Sequence, residues 1–336
     1  MHFSSRRVLA IVALLFLIRT ASAHPEPLSA VHRQRYFMGT MFEIIAYQDA
    51  RADAERAIQA AFVEIGRLDQ VLSHFKPDSD LSNLVREARK GFVAVEPSLY
   101  EVLQQSIIFS QRSGGKFDVT IAPLLRTWQT AHAQGHRPSE AAIDAARRCV
   151  GYQKIEVAAP GRIRFASDCV EIDLGGIGKG YAVDRAIAVL TAAGVQHALV
   201  NAGSSSIAAI GAPPGRRGWP VRLGASVSGR TTLLLRDASI STSRQSFLPF
   251  RSEAGLFGEI LDPQSGAPAG SRLAVSVVAA SAAVSDALST TLLMLSRGEA
   301  TTLLEQFGDV SALWMSADGE LQSSYRSSQL LLSDSD

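Results

Sequence analysis

Apolar residues recur every third or fourth position over residues 52–72, at Ala54, Ala57, Ile58, Ala61, Phe62, Ile65, Leu68 and Leu72, which is the spacing of one buried helix face. Further helical patterns cover residues 97–113, 139–148, 179–193 and 282–296. Shorter apolar runs at 41–47, 162–165, 197–201, 221–225, 231–235, 256–261 and 273–279 read as strands. Several of these are joined by connections too short for a helical crossover, so they pair antiparallel. The expected fold class is α+β, antiparallel sheets packed with helices. GAPPGRRG at 211–218 reads as a turn between strands, and no repeat or linker divides the chain, so residues 24–336 are expected to form a single domain. The serine-rich tail from Ser323 onward is expected to fray.

Composition changes this picture at the N-terminus. Arg6 and Arg7, an apolar run over residues 8–18, and Ala21-Ser22-Ala23 make the pattern of a cleaved secretory signal. The run is too short for a stable bilayer anchor, and no cysteine stands at the junction for a lipid. Cleavage after Ala23 is expected, with a soluble, exported, periplasmic product that has no membrane span. A formal net charge of +1, with Lys and Arg scattered among acids, argues against nucleic acid as a partner. Cys149 and Cys169 flank a pair of short strands in a chain bound for an oxidising compartment. Pairing is permitted there, but spacing leaves it open.

Two segments carry candidate chemistry. In SAAVSDALSTTLL (281–293), Asp286 and Thr290 stand one turn apart on a small, apolar helix. With Ser289 beside them they offer hard oxygen ligands to a cation such as Mg²⁺. The plainer alternative is that Asp286 complements the helix N-terminus and Thr290 packs inward. In EIDLGGIGKGYAVDR (171–185) a short apolar strand meets glycines and then a helix, a common cradle for phosphate. Lys179 sits where that helix begins, a place the dipole disfavours for a cation unless an anion lies between. The segment has neither the Walker A pattern nor G-x-G-x-x-G.

Seven segments in order give the chain a family likeness. They are Met38-Gly39-Thr40, GGKFDVTIAPLLRTW (114–128), EIDLGGIGKGYAVD (171–184), LVNAGSSSIAAIG (199–211), SISTS (239–243), ILDPQSGAP (260–268) and SDALSTTLL (285–293). Together they resemble the ApbE-like FAD:protein FMN transferases. The resemblance implies a single ApbE-like, T-fold-like domain that binds FAD as substrate and uses Mg²⁺. It implies transfer of FMN to a threonine or serine hydroxyl of a partner protein, with release of AMP. That acceptor would carry a short flavinylation motif and belong to a membrane-bound or periplasmic redox complex.

Carried over by position, the metal ligands would be the Gly178 carbonyl, Asp286 and Thr290. Flavin contacts would come from Met38, Phe75, Phe117 and Asp118, with Tyr181 and Asp184 facing the same cavity. Without the resemblance, Asp118 reads as an Asx-type turn and Phe75 as a core aromatic. Lys179 would stabilise charge in the transition state. Two positions depart from the family pattern: Arg244 follows the threonine-serine pair where glycine is usual, and Glu259 stands where a histidine precedes the DP segment. Glu259 is expected to be the general base if it is partly buried, with Asp286 or a metal-bound water as alternatives. A Mg²⁺-dependent FAD pyrophosphatase, or a flavin-binding protein with impaired turnover, are the competing readings.

Overall fold

The computed structural model describes residues 28–223, 232–250, 256–270, 274–315 and 321–325. The signal segment, the tail beyond Tyr325, and positions 224–225, 231 and 273 of the expected strands lie outside the described residues. Helices are α1 (Arg51–Val71), α2 (Asp80–Glu87), α3 (Pro97–Arg112), α4 (Ala122–Ala133), α5 (Glu140–Arg147), α6 (Gly178–Ala192), α7 (Ala282–Leu292) and α8 (Arg297–Leu304). Strands are β1 (Ser29–Phe37), β2 (Thr40–Gln48), β3 (Val93–Ala94), β4 (Ile155–Ala158), β5 (Arg162–Phe165), β6 (His197–Ala202), β7 (Ser206–Ile210) and β8 (Trp219–Arg222). They continue as β9 (Thr232–Leu235), β10 (Ala238–Arg244), β11 (Phe247–Pro249), β12 (Leu256–Gly258), β13 (Ala274–Ala279), β14 (Ser311–Met315) and β15 (Leu321–Tyr325).

Eight strands form one sheet in the order β1-β2-β6-β7-β10-β13-β14-β15, and every pair is antiparallel. This bears out the α+β expectation. Strand alternation assigns the two faces. Phe42, Ile44 and Ala46 of β2 enter a core with α1, α6 and α7, whereas Ile45 and Tyr47 face a second cluster built with Trp219, Val221, Leu233 and Leu235. The β8–β9 hairpin thus covers the face away from the helices. A third cluster joins Leu124 and Trp128 of α4, Ile143 of α5, and Phe250, Phe257 and Leu261.

Two expectations about the chain's later part are corrected. The pattern read as one helix over 282–296 stops at Leu292, because Ser296 and Glu299 make a capping box that starts α8 instead. Residues 323–325 of the expected frayed tail pair with β14 as part of the sheet's edge strand, which satisfies the backbone groups that face β14. Cys149 and Cys169 form a disulfide around the β4–β5 hairpin.

Candidate active site

Helices α6 and α7 cross so closely that one position tolerates no side chain. A Cβ on Gly180 would lie 2.2 Å from the Ala282 carbonyl oxygen and 2.8 Å from Asp286 Cβ. That approach lets each helix cap the other. The Gly180 N–H, in the first turn of α6, donates to Asp286 Oδ2 at 2.9 Å. In return Asp184 of α6 accepts from Ser281 Oγ (2.7 Å), Ala282 N (2.6 Å) and Ala283 N (2.9 Å) at the start of α7. Each carboxylate thereby satisfies orphan donors and meets the positive end of a dipole.

A cavity of about 530 Å³ opens beside this crossing. Its wall includes Phe117, Asp118, Lys179, Glu259, Asp286 and Thr290. Asp286 is only 4% exposed, and burial pushes its carboxyl above the usual range, opposed by the nearby Lys179 charge and by hydrogen bonds from Gly180 and Ser206. Lys179 Nζ donates to the Gly175 carbonyl at 3.3 Å, folding back over the glycine turn. Thr290 Oγ1 lies 3.0 Å from Ser243 Oγ on β10. Among the described residues no three His, Cys, Asp or Glu side chains gather as a metal site. The oxygens here are of another kind: one buried carboxylate, one hydroxyl and the carbonyls of the glycine turn. That hard, sparse set fits Mg²⁺, which keeps several waters and shares itself with substrate phosphates.

Met38 and Phe75 lie around a second opening of about 360 Å³, whose wall also includes Gly175, Gly178 and Lys179. The glycine turn therefore separates two hollows and contributes to both. Met38 takes a left-handed φ of 48°, and its N–H donates to Asp69 Oδ1 at 3.0 Å. Phe75 is 84% exposed and rests against the His74 ring, so it is not the core aromatic of the plainer reading. Asp118 does make the turn that its residue type suggests, accepting from Thr120 N and Oγ1 and from Tyr152 N. Burial nonetheless raises its carboxyl above the usual range, against the pull of those bonds.

Three expected site residues are placed differently. Tyr181 is buried and its hydroxyl donates to Glu101 Oε2 of α3 at 2.6 Å, so the ring faces the α3 side and not the cavity. Asp184 spends its carboxylate on the α7 cap. Both follow from α6 beginning at Gly178, which turns positions 181 and 184 toward neighbouring helices. Glu259 does reach the cavity wall but is exposed, which corrects the partly buried setting expected of it.

The sequence reading missed Gln245. Its side chain is 5% exposed and bonds Ile260 N (2.8 Å), Ile260 O (2.7 Å) and Ala269 O (3.1 Å), which ties the Glu259 loop to the end of β10. Lys116 pairs with Asp262 at 2.7 Å and joins the GGKFD turn to the DPQSG turn across the same cavity. No local pattern marks these partners, since each pair is far apart in the chain.

With this geometry in view, comparison with known proteins places the chain. The ApbE family model matches residues 38–314. The FAD:protein FMN transferase of Treponema pallidum (strain Nichols) is 28% identical over 312 residues, covering 87% of this chain and 86% of that protein. That of Chlamydia trachomatis serovar D is 30% identical over 250 residues, covering 73% and 76%. Among solved structures, the apo flavinyl transferase ApbE of Pseudomonas stutzeri superimposes with a TM-score of 0.77 at 27% identity, over 90% of this chain and 96% of that one. A flavin transferase ApbE from Vibrio cholerae shares the fold at a TM-score of 0.77 and 22% identity, over 90% and 98%. The glycine turn, the α7 carboxylate and hydroxyl, and the cavity between them are accordingly those of a chain that belongs to the ApbE family.

Proposed function

We propose that this protein is an exported FAD:protein FMN transferase that moves FMN from FAD to a threonine or serine hydroxyl of an acceptor protein and releases AMP. The reading rests on one observation above the rest: Lys179 of the glycine turn meets Asp286 and Thr290 of α7 around a single cavity. Family membership supports the same chemistry. A cavity of about 530 Å³ is within the usual range for a ligand of this class.

Asp286, Thr290 and the Gly178 carbonyl would hold Mg²⁺. When bound, Mg²⁺ supplies Lewis-acid charge on the pyrophosphate. The chain's own groups do the rest. Lys179 neutralises phosphoryl oxygens as charge redistributes between attacking and leaving oxygens. The acceptor hydroxyl oxygen forms a bond to the FMN phosphorus while the bond to the AMP oxygen breaks. Glu259, on the cavity wall and open to solvent, takes the hydroxyl proton, and a docked acceptor would exclude water from its carboxylate. Met38 and Phe75 at the second opening, with Phe117 and Asp118 in the first, are the flavin contacts in this reading. The signal-like N-terminus supports a periplasmic site of action and an acceptor in a redox complex there.

Incubation with FAD, Mg²⁺ and a threonine-bearing acceptor subunit tests the reading. Covalently flavinylated acceptor with equimolar AMP is expected. Free FMN with AMP would make the enzyme a pyrophosphatase, and unchanged bound FAD would make it a flavin carrier.

A further inference from the structure

Four oxygen atoms at the α7–β10 contact form a hydrogen-bonded run whose direction is settled by counting protons. Ser289 Oγ lies 3.0 Å from the Asp286 backbone carbonyl, 2.8 Å from Ser243 Oγ, and Ser243 Oγ in turn lies 3.0 Å from Thr290 Oγ1. A carbonyl only accepts, and a hydroxyl has one proton to give. Ser289 therefore spends its proton on the Asp286 carbonyl and must accept from Ser243. Ser243, having given its proton to Ser289, must accept from Thr290. The run is one-way: Thr290 to Ser243 to Ser289 to the carbonyl.

A second run has the opposite sense with respect to the cavity. Ser241 Oγ donates to Ser206 Oγ at 3.2 Å, and Ser206 faces the Asp286 carboxylate and favours its charged form. Ser241 Oγ also lies 2.8 Å from Ser285 Oγ, which itself donates to the Ala282 carbonyl at 3.1 Å. Ser206, Ser241, Ser285 and Ser289 are fully buried, so water does not compete for the bonds among them. Donors converge on the carboxylate, while the Thr290 proton is held sideways along the cavity wall by Ser243, which lines the same cavity.

We propose that Ser243 and Ser289 are positioning residues which, by holding the Thr290 proton in this run, present the Thr290 oxygen to the cavity as a lone-pair donor for a hard divalent cation. The inference rests on the metal reading given under Proposed function. It assigns no chemistry to the serines themselves: without the run, the Thr290 hydroxyl could turn its proton toward the cation and lose its value as a ligand. Partners behind a ligand typically set metal affinity in this way.

Mn²⁺, a hard cation visible by paramagnetic resonance, is the probe, titrated into the full mature protein with FAD present and no acceptor. Ser243→Ala and Ser289→Ala should each weaken Mn²⁺ binding about tenfold or more, while Ser243→Thr, which keeps the hydroxyl, stays within about twofold of wild type. Thr290→Val should weaken Mn²⁺ binding at least as much as either serine variant while leaving the Asp286 contact measurable, and adding Ser243→Ala to it should cost nothing further. Wild-type Mn²⁺ affinity in Ser243→Ala and Ser289→Ala, with or without a lowered unfolding temperature, would overturn the inference and leave the metal reading standing. So would a further loss when Ser243→Ala is added to Thr290→Val. Failure of the wild type to bind Mn²⁺ would remove the metal reading and this inference together.

Discussion

At the residue scale, individual side chains have divided what their types made possible. Asp286 combines the two readings its sequence allowed, because it complements a helix start, though that of α6 and not its own, while standing in the cavity wall. Glu259 tests the catalytic half of the proposal. Glu259→Gln should lower FMN transfer about a hundredfold while FAD binds as before, since a general base contributes on that order. An unchanged rate in a single-turnover assay would move proton abstraction elsewhere. Tyr181 offers a pH test of its altered placement. Burial, with the hydrogen bond to Glu101 second, holds its phenol above the ordinary value of 10.0. A folded-state pKa above the unfolded one stabilises the protein below the unfolded value, and that stability is lost as pH rises past it. Unfolding free energy should therefore fall from about pH 10 upward, and Tyr181→Phe should flatten the fall. Denaturant titrations across that range measure it.

At the element scale, the α6–α7 crossing organises the site. Gly180→Ala would drive a methyl against the Ala282 carbonyl, which is backbone and cannot swing aside. A cost of about 1–3 kcal/mol is expected from overpacking, with weakened FAD binding because Lys179 and Asp286 move apart. Gly91→Ala, where a Cβ meets nothing within 4 Å, is the control and should change unfolding little. The elements that periodicity found, α1, α3, α5 and α6, bury a regular stripe of their own residues. Those it missed have other causes. Helix α4 starts with Ala122-Pro123 inside the apolar run after Asp118, which hides its beginning; beyond it Leu124, Trp128 and Ala131 are buried and Arg126, Gln129 and Thr130 exposed. Strand β10 alternates serines with Ile240 and Thr242, so hydroxyls buried against α7 look in sequence like a polar loop.

At the scale of the whole molecule, the Cys149–Cys169 disulfide fastens two segments that border the cavity. One continues into Gly151 and Tyr152, whose N–H groups donate to Thr120 Oγ1 and Asp118 Oδ2; the other leads into the glycine turn. Replacing both cysteines by serine opens a closed loop of 20-residue separation and should cost about 2–4 kcal/mol. Unfolding with and without reductant should show that loss in the wild type and no reductant effect in the double variant. The fold class, the glycine turn, and the pairing of Asp286 with Thr290 on one helix face are legible in the amino-acid order alone. All of these depend on residues a few positions apart, where backbone geometry sets the relation. It took the folded chain to bring Asp184 and Asp286 to each other's helix starts, to tie the Glu259 and DPQSG turns to Gln245 and Lys116, and to set which way the hydroxyls around Thr290 point. Those contacts join residues as much as 146 positions apart, and a hydroxyl's direction is chosen by all of its neighbours at once, so no local pattern contains them.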